Sequence, residues 1–296
     1  MVAEVLEYLR PERGGLFFDG TLGGGGHTEA ILSSDGAARV IAVDQDTEAL
    51  AVAGRRLSRF EDRVELVHAN FASAAESDDR PLAGALLDLG ISSHQIDVLE
   101  RGFSFRSGAP LDMRMSALTR YTAADLLNEL PEKELADVFY RFGEERRSRP
   151  LARMVVHERK TRPFATSDDF NALLDRFYGP RITVQDRARM YQALRVAVNE
   201  ELDVLERALD ALRERLESRG VLVVLSYHSL EDRIVKDAFR EWSRACICPP
   251  ELPVCRCRGV ALGELLTRKP VMASDEEVER NSRARSARLR AWRKAA

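Results

Sequence analysis

Cysteine is scarce in this chain. All four cysteines of its 296 residues fall between Cys246 and Cys257. A disulfide framework would spread them through the sequence, so nothing here speaks for secretion. No apolar run approaches the ~20 residues that cross a bilayer. The first residues carry neither the basic stretch nor the apolar core of a signal peptide, and a cytoplasmic protein is expected. An excess of one charge is lacking too: the net charge is −3 and the pI about 6.1. Without a global basic field, any nucleic-acid site must be a local patch. Apolar residues make up 45% and charged residues 31%. That balance suits a folded chain with a real core, as one large domain or two modest ones.

What is present concentrates first between Gly15 and Asp46. Leu16, Phe17 and Phe18 form a short apolar run that suits a buried parallel strand, ended by Asp19. Gly23 to Gly26 then give four positions without a Cβ. A turn that brings N–H groups close to a ligand needs this, and so does tight packing of a helix on a sheet. A helix is expected from Thr28 through Leu32 and a second strand over Val40 to Val43, with Asp44 and Asp46 at its end. An acid there can accept hydrogen bonds from the ribose hydroxyls of a nucleoside cofactor. The pattern Asp19-x-Thr21-x-Gly23-x-Gly25 resembles the first motif of S-adenosylmethionine (SAM) methyltransferases, with Thr21 in place of the first glycine. A dinucleotide fold would prefer G-x-G-x-x-G, with a diphosphate on the helix N-terminus. SAM has no phosphate, so Asp19 is tolerable near its positive end.

Around this unit the spacing predicts helices over Val2 to Leu9 and Glu48 to Leu57, and a third strand over Val64 to Val67. Phe71 follows that strand, placed either to pack on a base or to fill the core. Leu82 to Leu89 reads as the fourth strand, with Asp88 at the carboxyl edge where open α/β sheets bind ligands. Ser92, Ser93 and Gln95 lie on the exit loop. From Arg101 to Met115, Phe103, Phe105, Met113 and Met115 interleave with Arg101, Arg106 and Arg114. Basic and aromatic residues together suit an unstacked nucleotide; a loop pinned by its hydrophobic residues is the plainer alternative.

Tyr121 to Arg181 shows no strand pattern. Helices are expected from Thr122 through Asn128, Pro131 through Phe142, Ser148 to Lys160 and Ser167 to Phe177, as a helical insertion. Glu144 to Arg147 reads as a solvated charge cluster. Val184 to Arg219 reads as one long helix stopped by Gly220, before a fifth strand over Val221 to Leu225. Ser229 with Asp232 resembles an N-cap box, while His228 falls at the sheet's carboxyl edge. The pairs Cys246-x-Cys248 and Cys255-x-Cys257 could make a structural zinc site. They depart from the usual C-x2–4-C spacing, so reduced thiols are the expectation and no metal is assigned. From Arg280 on there are seven basic residues and no acid. That basic tail suggests RNA, with a solvated helix end as the alternative.

Taken in order, D-G-T-L-G-G-G-G-H-T, L-L-D-L-G-I-S-S, R-G-F-S-F, P-L-D-M-R-M, V-N-E-E-L, H-S-L-E-D-R-I-V-K and N-S-R-A-R-S-A-R-L-R resemble the MraW family, the ribosomal RNA small subunit methyltransferases H. The resemblance covers nearly the whole chain. It implies an α/β fold: a class I SAM-dependent methyltransferase domain, Rossmann-like with a mostly parallel sheet, carrying an inserted all-helical domain. The expected boundaries are 1–105, 106–184 for the insertion, and 185–296. It further implies SAM-dependent methylation of N4 of a cytidine in the decoding region of 16S rRNA. The small ribosomal subunit is then the partner, with no membrane, and a homodimer stays open.

Carried over by motif, the SAM contacts are Gly25, Gly26, His27, Asp44, Phe71, Asp88 and Gln95. Amino-methyltransferases usually offer N/D-P-P-Y/F after the fourth strand, whereas this chain has Asp88-Leu89-Gly90-Ile91. Asp88, Asp112 and His228 are therefore expected to line the target base, and Arg106, Arg114, Arg233, Arg283, Arg285 and Arg288 to contact RNA. Family members usually begin with a His-x-Pro-Val segment, so the true start is expected upstream of Met1. The cysteine cluster occurs in only part of the family and is not expected to serve the chemistry. Two rival classes remain: a nicotinamide dehydrogenase, and a ribosome-assembly factor that keeps SAM as a structural ligand.

Overall fold

The apolar run Leu16-Phe17-Phe18 lies in strand β1, Gly15–Asp19, which follows helix α1, Val2–Leu9. The computed structural model describes residues 1–34, 37–92, 95, 97–116, 119–248 and 256–296. Then come α2 (Gly26–Leu32), β2 (Ala38–Asp44), α3 (Thr47–Leu57), β3 (Val64–His68), α4 (Phe71–Glu76) and β4 (Leu82–Asp88). α3 and α4 start where short polar side chains take an orphan amide. The Asp46 carboxylate accepts the Glu48 N–H at 3.0 Å, and the Asn70 side chain accepts the Ala72 N–H at 2.9 Å.

The chain divides into two compact units, residues 1–90 with 202–296, and residues 91–201. The second is wider on both sides than the expected 106–184. It holds α5 (Ala123–Glu129), α6 (Glu132–Arg141), α7 (Ser148–Glu158), α8 (Ser167–Tyr178) and α9 (Val184–Asn199). Capping boxes open three of them: Thr122 with Asp125, Thr166 with Asp169 and Thr183 with Asp186. The loop before α5 belongs to this unit because its apolar residues build the core. Phe103, Leu111, Met113 and Met115 are buried with Phe139, Phe170, Tyr191 and Leu194, and Phe105 packs edge-on to Tyr191 at 5.8 Å. The hydrophobic side chains of this loop are core anchors, not a platform for a base.

Glu144 to Arg147 is not simply a solvated cluster. Glu145 is buried, accepting the Tyr178 hydroxyl at 2.5 Å and the Arg147 N–H at 2.7 Å. Arg147 lies over the Phe177 ring at 4.4 Å.

The expected helix from Val184 to Arg219 is two. After α9, Glu200 turns left-handed at φ 51°, and α10 runs Glu201–Arg215. Asn199 accounts for the break: its amide donates to Met113 O at 2.8 Å and accepts the Met115 N–H at 2.8 Å. Those bonds hold the side chain to the loop. Leu216 is already strand, so Gly220 lies inside β5, Leu216–Ser226, rather than ending a helix. α11 (Ser229–Trp242), β6 (Gly263–Leu265), β7 (Val271–Met272), α12 (Asp275–Arg280) and β8 (Arg288–Lys294) complete the chain.

The sheet order is β3-β2-β1-β4-β5-β8-β6, with β7 also paired to β8. β1 to β5 are parallel, and β8 runs antiparallel to β5. Alternating residues serve opposite faces: Phe17, Val223 and Leu289 pack in one layer, and Phe18, Val224 and Trp292 in the other. The basic C-terminus is thus neither a tail nor a solvated helix end. β8 buries Leu289, Ala291 and Trp292, and its buried Arg290 grips Asp232 through two bonds of 2.7 and 3.1 Å. At its end Lys294 donates to Glu214 O and Leu216 O, at 2.9 and 2.7 Å, where α10 leaves its carbonyls open.

Candidate active site

The parallel strands β1, β2, β4 and β5 bring their carboxyl ends to one edge, with Asp19, Asp44, Asp88 and Tyr227 there or just beyond. The chain from Gly20 to Gly26 is stitched across that edge. Gly20 N–H donates to Leu86 O and Leu22 N–H to Val43 O, both at 3.0 Å. Gly20 admits no side chain, since a Cβ would meet Leu87 at 2.5 Å and Phe18 at 2.9 Å. Gly25 is left-handed at φ +79°. A Cβ at Gly24 would meet nothing within 4 Å, and one at Gly26 only the tip of Arg56 at 3.9 Å. The turn therefore presents backbone to open space.

The acids hold this turn. Asp19 is buried, accepting the Thr28 hydroxyl at 2.6 Å and the Thr21 N–H at 3.1 Å. Burial raises its carboxyl above the usual range, against those bonds. Asp44 accepts the Gly23 N–H at 2.8 Å and the Asp46 N–H at 2.9 Å. Burial raises it as well, and the two amides only partly offset this.

Asp88 has three polar neighbours. Its N–H donates to Thr21 Oγ1 at 2.6 Å, its Oδ1 accepts the Tyr227 hydroxyl at 2.8 Å, and its Oδ2 lies 3.4 Å from His27 Nε2. Burial alone would lower His27, but the hydrogen bond and charge of Asp88, with Asp19 behind, raise it above its ordinary value. Burial first, and then Asp88, pushes Tyr227 far up, so its hydroxyl stays a donor at any working pH. His27 Nδ1 is buried with no partner among the described residues.

Residues 1–295 match the model of the MraW methylase family. The chain belongs to the MraW methylase family. A relative from Gemmatimonas aurantiaca, named ribosomal RNA small subunit methyltransferase H, is 52% identical over 283 residues, covering 94% of this chain and 89% of the relative. Another of that name, from Heliobacterium modesticaldum, is 47% identical over 304 residues, with 99% and 97% covered. Among solved structures, an rRNA methylase from Streptococcus thermophilus aligns with a TM-score of 0.46 at 10% identity, covering 99% of this chain and 95% of that one.

SAM is the cofactor of this MraW-family methylase, and the residues at the edge fit it. Open space faces Gly24 and Gly26, and the orphaned Nδ1 of His27 awaits a polar partner. Carboxylates at Asp44 and Asp88 suit ribose hydroxyls and a cationic ligand. Gly25, Gly26, His27, Asp44 and Asp88 lie together at this edge. Phe71, half-buried at the start of α4, packs its Cβ near Gly20 and against the core.

Gln95 belongs to the helical unit. It is buried, and its side chain accepts the Ser92 N–H at 3.0 Å; Ser93 lies outside the described residues. Asp112 is in the same unit and spends its carboxylate on Arg114, through bonds of 2.8 and 2.8 Å. Burial would raise Asp112, but this pair brings it below the usual range. His228 caps α11: its Nδ1 accepts the Glu231 N–H at 3.4 Å and its Nε2 is 3.2 Å from Glu231 Oε1. The N-cap box is thus His228 with Glu231, one residue before the expected Ser229 with Asp232.

Of the expected RNA-contact arginines, Arg106, Arg233, Arg283 and Arg285 are exposed. Arg114 is tied to Asp112, and Arg288 sits on β8 with Nη1 3.5 Å from Asp232. The motif reading passed over Tyr227 and Gly20. The signal for Tyr227 was its place just after β5, at the same sheet edge as Asp88. The signal for Gly20 was the small residue demanded between Phe18 and Leu87.

Proposed function

We propose that this chain transfers a methyl group from SAM to the exocyclic N4 of a cytidine in 16S rRNA, in the decoding region of the small subunit. SAM supplies an electrophilic methyl on a cationic sulfur. The relatives' name supports ribosomal RNA of the small subunit as substrate. The observation that carries the chemistry is Asp88 at the sheet edge, held between Tyr227 and His27.

The cytosine amine is a poor nucleophile because its lone pair is delocalised into the ring. A carboxylate that accepts one amine N–H keeps charge on nitrogen as the new bond forms. Asp88 takes that part, in place of the usual Asn/Asp-Pro-Pro segment. Tyr227 and Thr21 fix its orientation, and His27 lies against its other oxygen. Asp44 and the turn from Gly23 to Gly26 hold the nucleoside, and Phe71 flanks it. Positioning of this kind supplies several kcal/mol, up to about 7–11 in ideal cases. The base must leave its stack to reach Asp88. In the sheet unit, His228 is retained beside the base, with Arg233, Arg283, Arg285 and Arg288 meeting phosphates; in the helical unit, Asp112, Arg106 and Arg114 are retained as substrate contacts.

Mass spectrometry of rRNA nucleosides tests the reading. Unmodified small-subunit RNA, free or in subunits, is incubated with SAM and the chain. N4-methylcytidine at one decoding-region site is the expected product. A methyl group on another base, or none, overturns the assignment.

A further inference from the structure

Between α11 and β6 the chain makes an excursion that nothing above explains. Its ends are pinned together: Leu262 N–H donates to Trp242 O at 2.8 Å, and the Arg258 guanidinium reaches Glu241 O at 2.5 Å and Arg244 O at 3.2 Å. Yet none of the described residues between Ser243 and Ala261 is buried, and none lies in a helix or strand. Ile247 and Val260, the large apolar residues among those described in it, are exposed. Loops longer than about 12–15 residues without structure of their own are uncommon. Among its described residues, no apolar burial holds this one.

The sulfurs of Cys246, Cys248 and Cys257 all lie within 4.8 Å of one another. Two backbone amides point at them across the loop: Ile247 N–H donates to Cys257 Sγ at 3.3 Å, and Arg256 N–H to Cys248 Sγ at 3.4 Å. Arg244, Arg256 and Arg258 add positive charge in the same segment. A tetrahedral ion with Zn–S near 2.3 Å places its sulfurs about 3.8 Å apart, so sulfurs already within 4.8 Å need to close in by at most about 1 Å.

We propose that Cys246, Cys248 and Cys257 bind one structural Zn2+ that fixes the excursion against the root of α11. Thiolates are soft ligands, which select zinc over magnesium or calcium. Each thiol gives its proton to solvent as its bond to the ion forms, so uptake strengthens with rising pH. Cys255, the remaining thiol of the sequence, lies outside the described residues. The ligands come from two short stretches, Cys246 to Cys248 and Cys257, joined by the two amide–sulfur bonds. The proposal is independent of the methylation reading.

The test uses the full chain, purified under a thiol reductant and without chelator. Elemental mass spectrometry should find one zinc per chain. The double variant Cys246→Ser with Cys248→Ser should lose zinc by about tenfold or more. Where that variant fails to fold, the wild type decides alone. A chelator should lower its Tm and expose the thiols to alkylation, and Zn2+, but not Mg2+, should reverse both. SAM binding, measured alongside, should survive chelation. A metal-free wild type whose Tm and thiol reactivity ignore added Zn2+ overturns the proposal. So does iron in place of zinc, or a disulfide among these sulfurs in protein isolated without reductant.

Discussion

The Tyr227 hydroxyl donates to Asp88 Oδ1 at 2.8 Å, joining the ends of two adjacent parallel strands. In the proposed transfer, that bond orients the carboxylate toward the amine. Tyr227→Phe removes the donor and little else. A hydrogen bond to a charged group contributes about 1.5–3 kcal/mol, so turnover should fall about 10- to 100-fold. Calorimetric SAM affinity should change little. Unaltered single-turnover rates would remove Tyr227 from the site.

The same carboxylate sets the His27 imidazole, which lies 3.4 Å from its other oxygen. Burial lowers His27, and Asp88 overrides it to leave a raised pKa. A raised folded-state value gives stability that is present below the unfolded pKa and is lost as pH rises through the folded one. Asp88→Asn should bring the His27 titration down, read by NMR of its ring protons, and flatten the loss of Tm as pH rises past neutrality. A His27 titration that ignores the substitution would show that Asp19, not Asp88, governs it.

Because the C-terminal segment is strand β8, cutting the chain after Glu279 would remove Trp292 from the core along with the arginines. Trp292→Ala should cost about 3–5 kcal/mol of stability. The RNA role of the segment is therefore tested on side chains that leave the sheet intact. Arg283→Ala with Arg285→Ala, both exposed, should leave Tm and SAM affinity unchanged. It should flatten the salt dependence of RNA binding by about one unit of slope per lost phosphate contact. An unaltered slope would mean these arginines face only solvent.

Asp232 receives Arg290 in a buried, two-bond pair. Burial pushes its carboxyl up, but Arg290, with Arg288 and Lys236, brings it below the usual range. A depressed folded-state value gives stability present above the unfolded pKa, near 3.9, and lost as pH falls through the folded one. Asp232→Asn strands a buried guanidinium and should lower Tm at neutral pH. The gap to wild type should close as pH drops below about 4. A gap that stays constant with pH would place its origin in packing.

The sheet unit was readable because its signals are local. Leu16 to Phe18, the glycine turn and Asp88 each announce a strand, a turn or an edge within a few residues. The capping threonines of the helical unit did the same. β8 was hidden because its meaning depends on distant residues: Arg290 reads as solvated until Asp232, 58 positions away, neutralises it. The break at Asn199 and Glu200 carries neither glycine nor proline, so the periodic stripe ran through it. Phe103 and Met113 looked like ligand contacts because only the assembled helical core reveals what covers them. His228 shows the same limit at the site: its cap on Glu231 emerges from side-chain rotamers, which spacing does not encode.

In the proposed reaction, Asp88 is the group that receives the cytosine amine. Single-turnover methyl transfer by Asp88→Asn, at saturating SAM and with unmodified small-subunit RNA, tests it most directly. The shape and the Thr21 contact survive in that variant, while the charge is lost. A rate lower by about 100-fold or more, from a protein that still folds and still binds RNA, is the expected result. A wild-type rate would contradict the account.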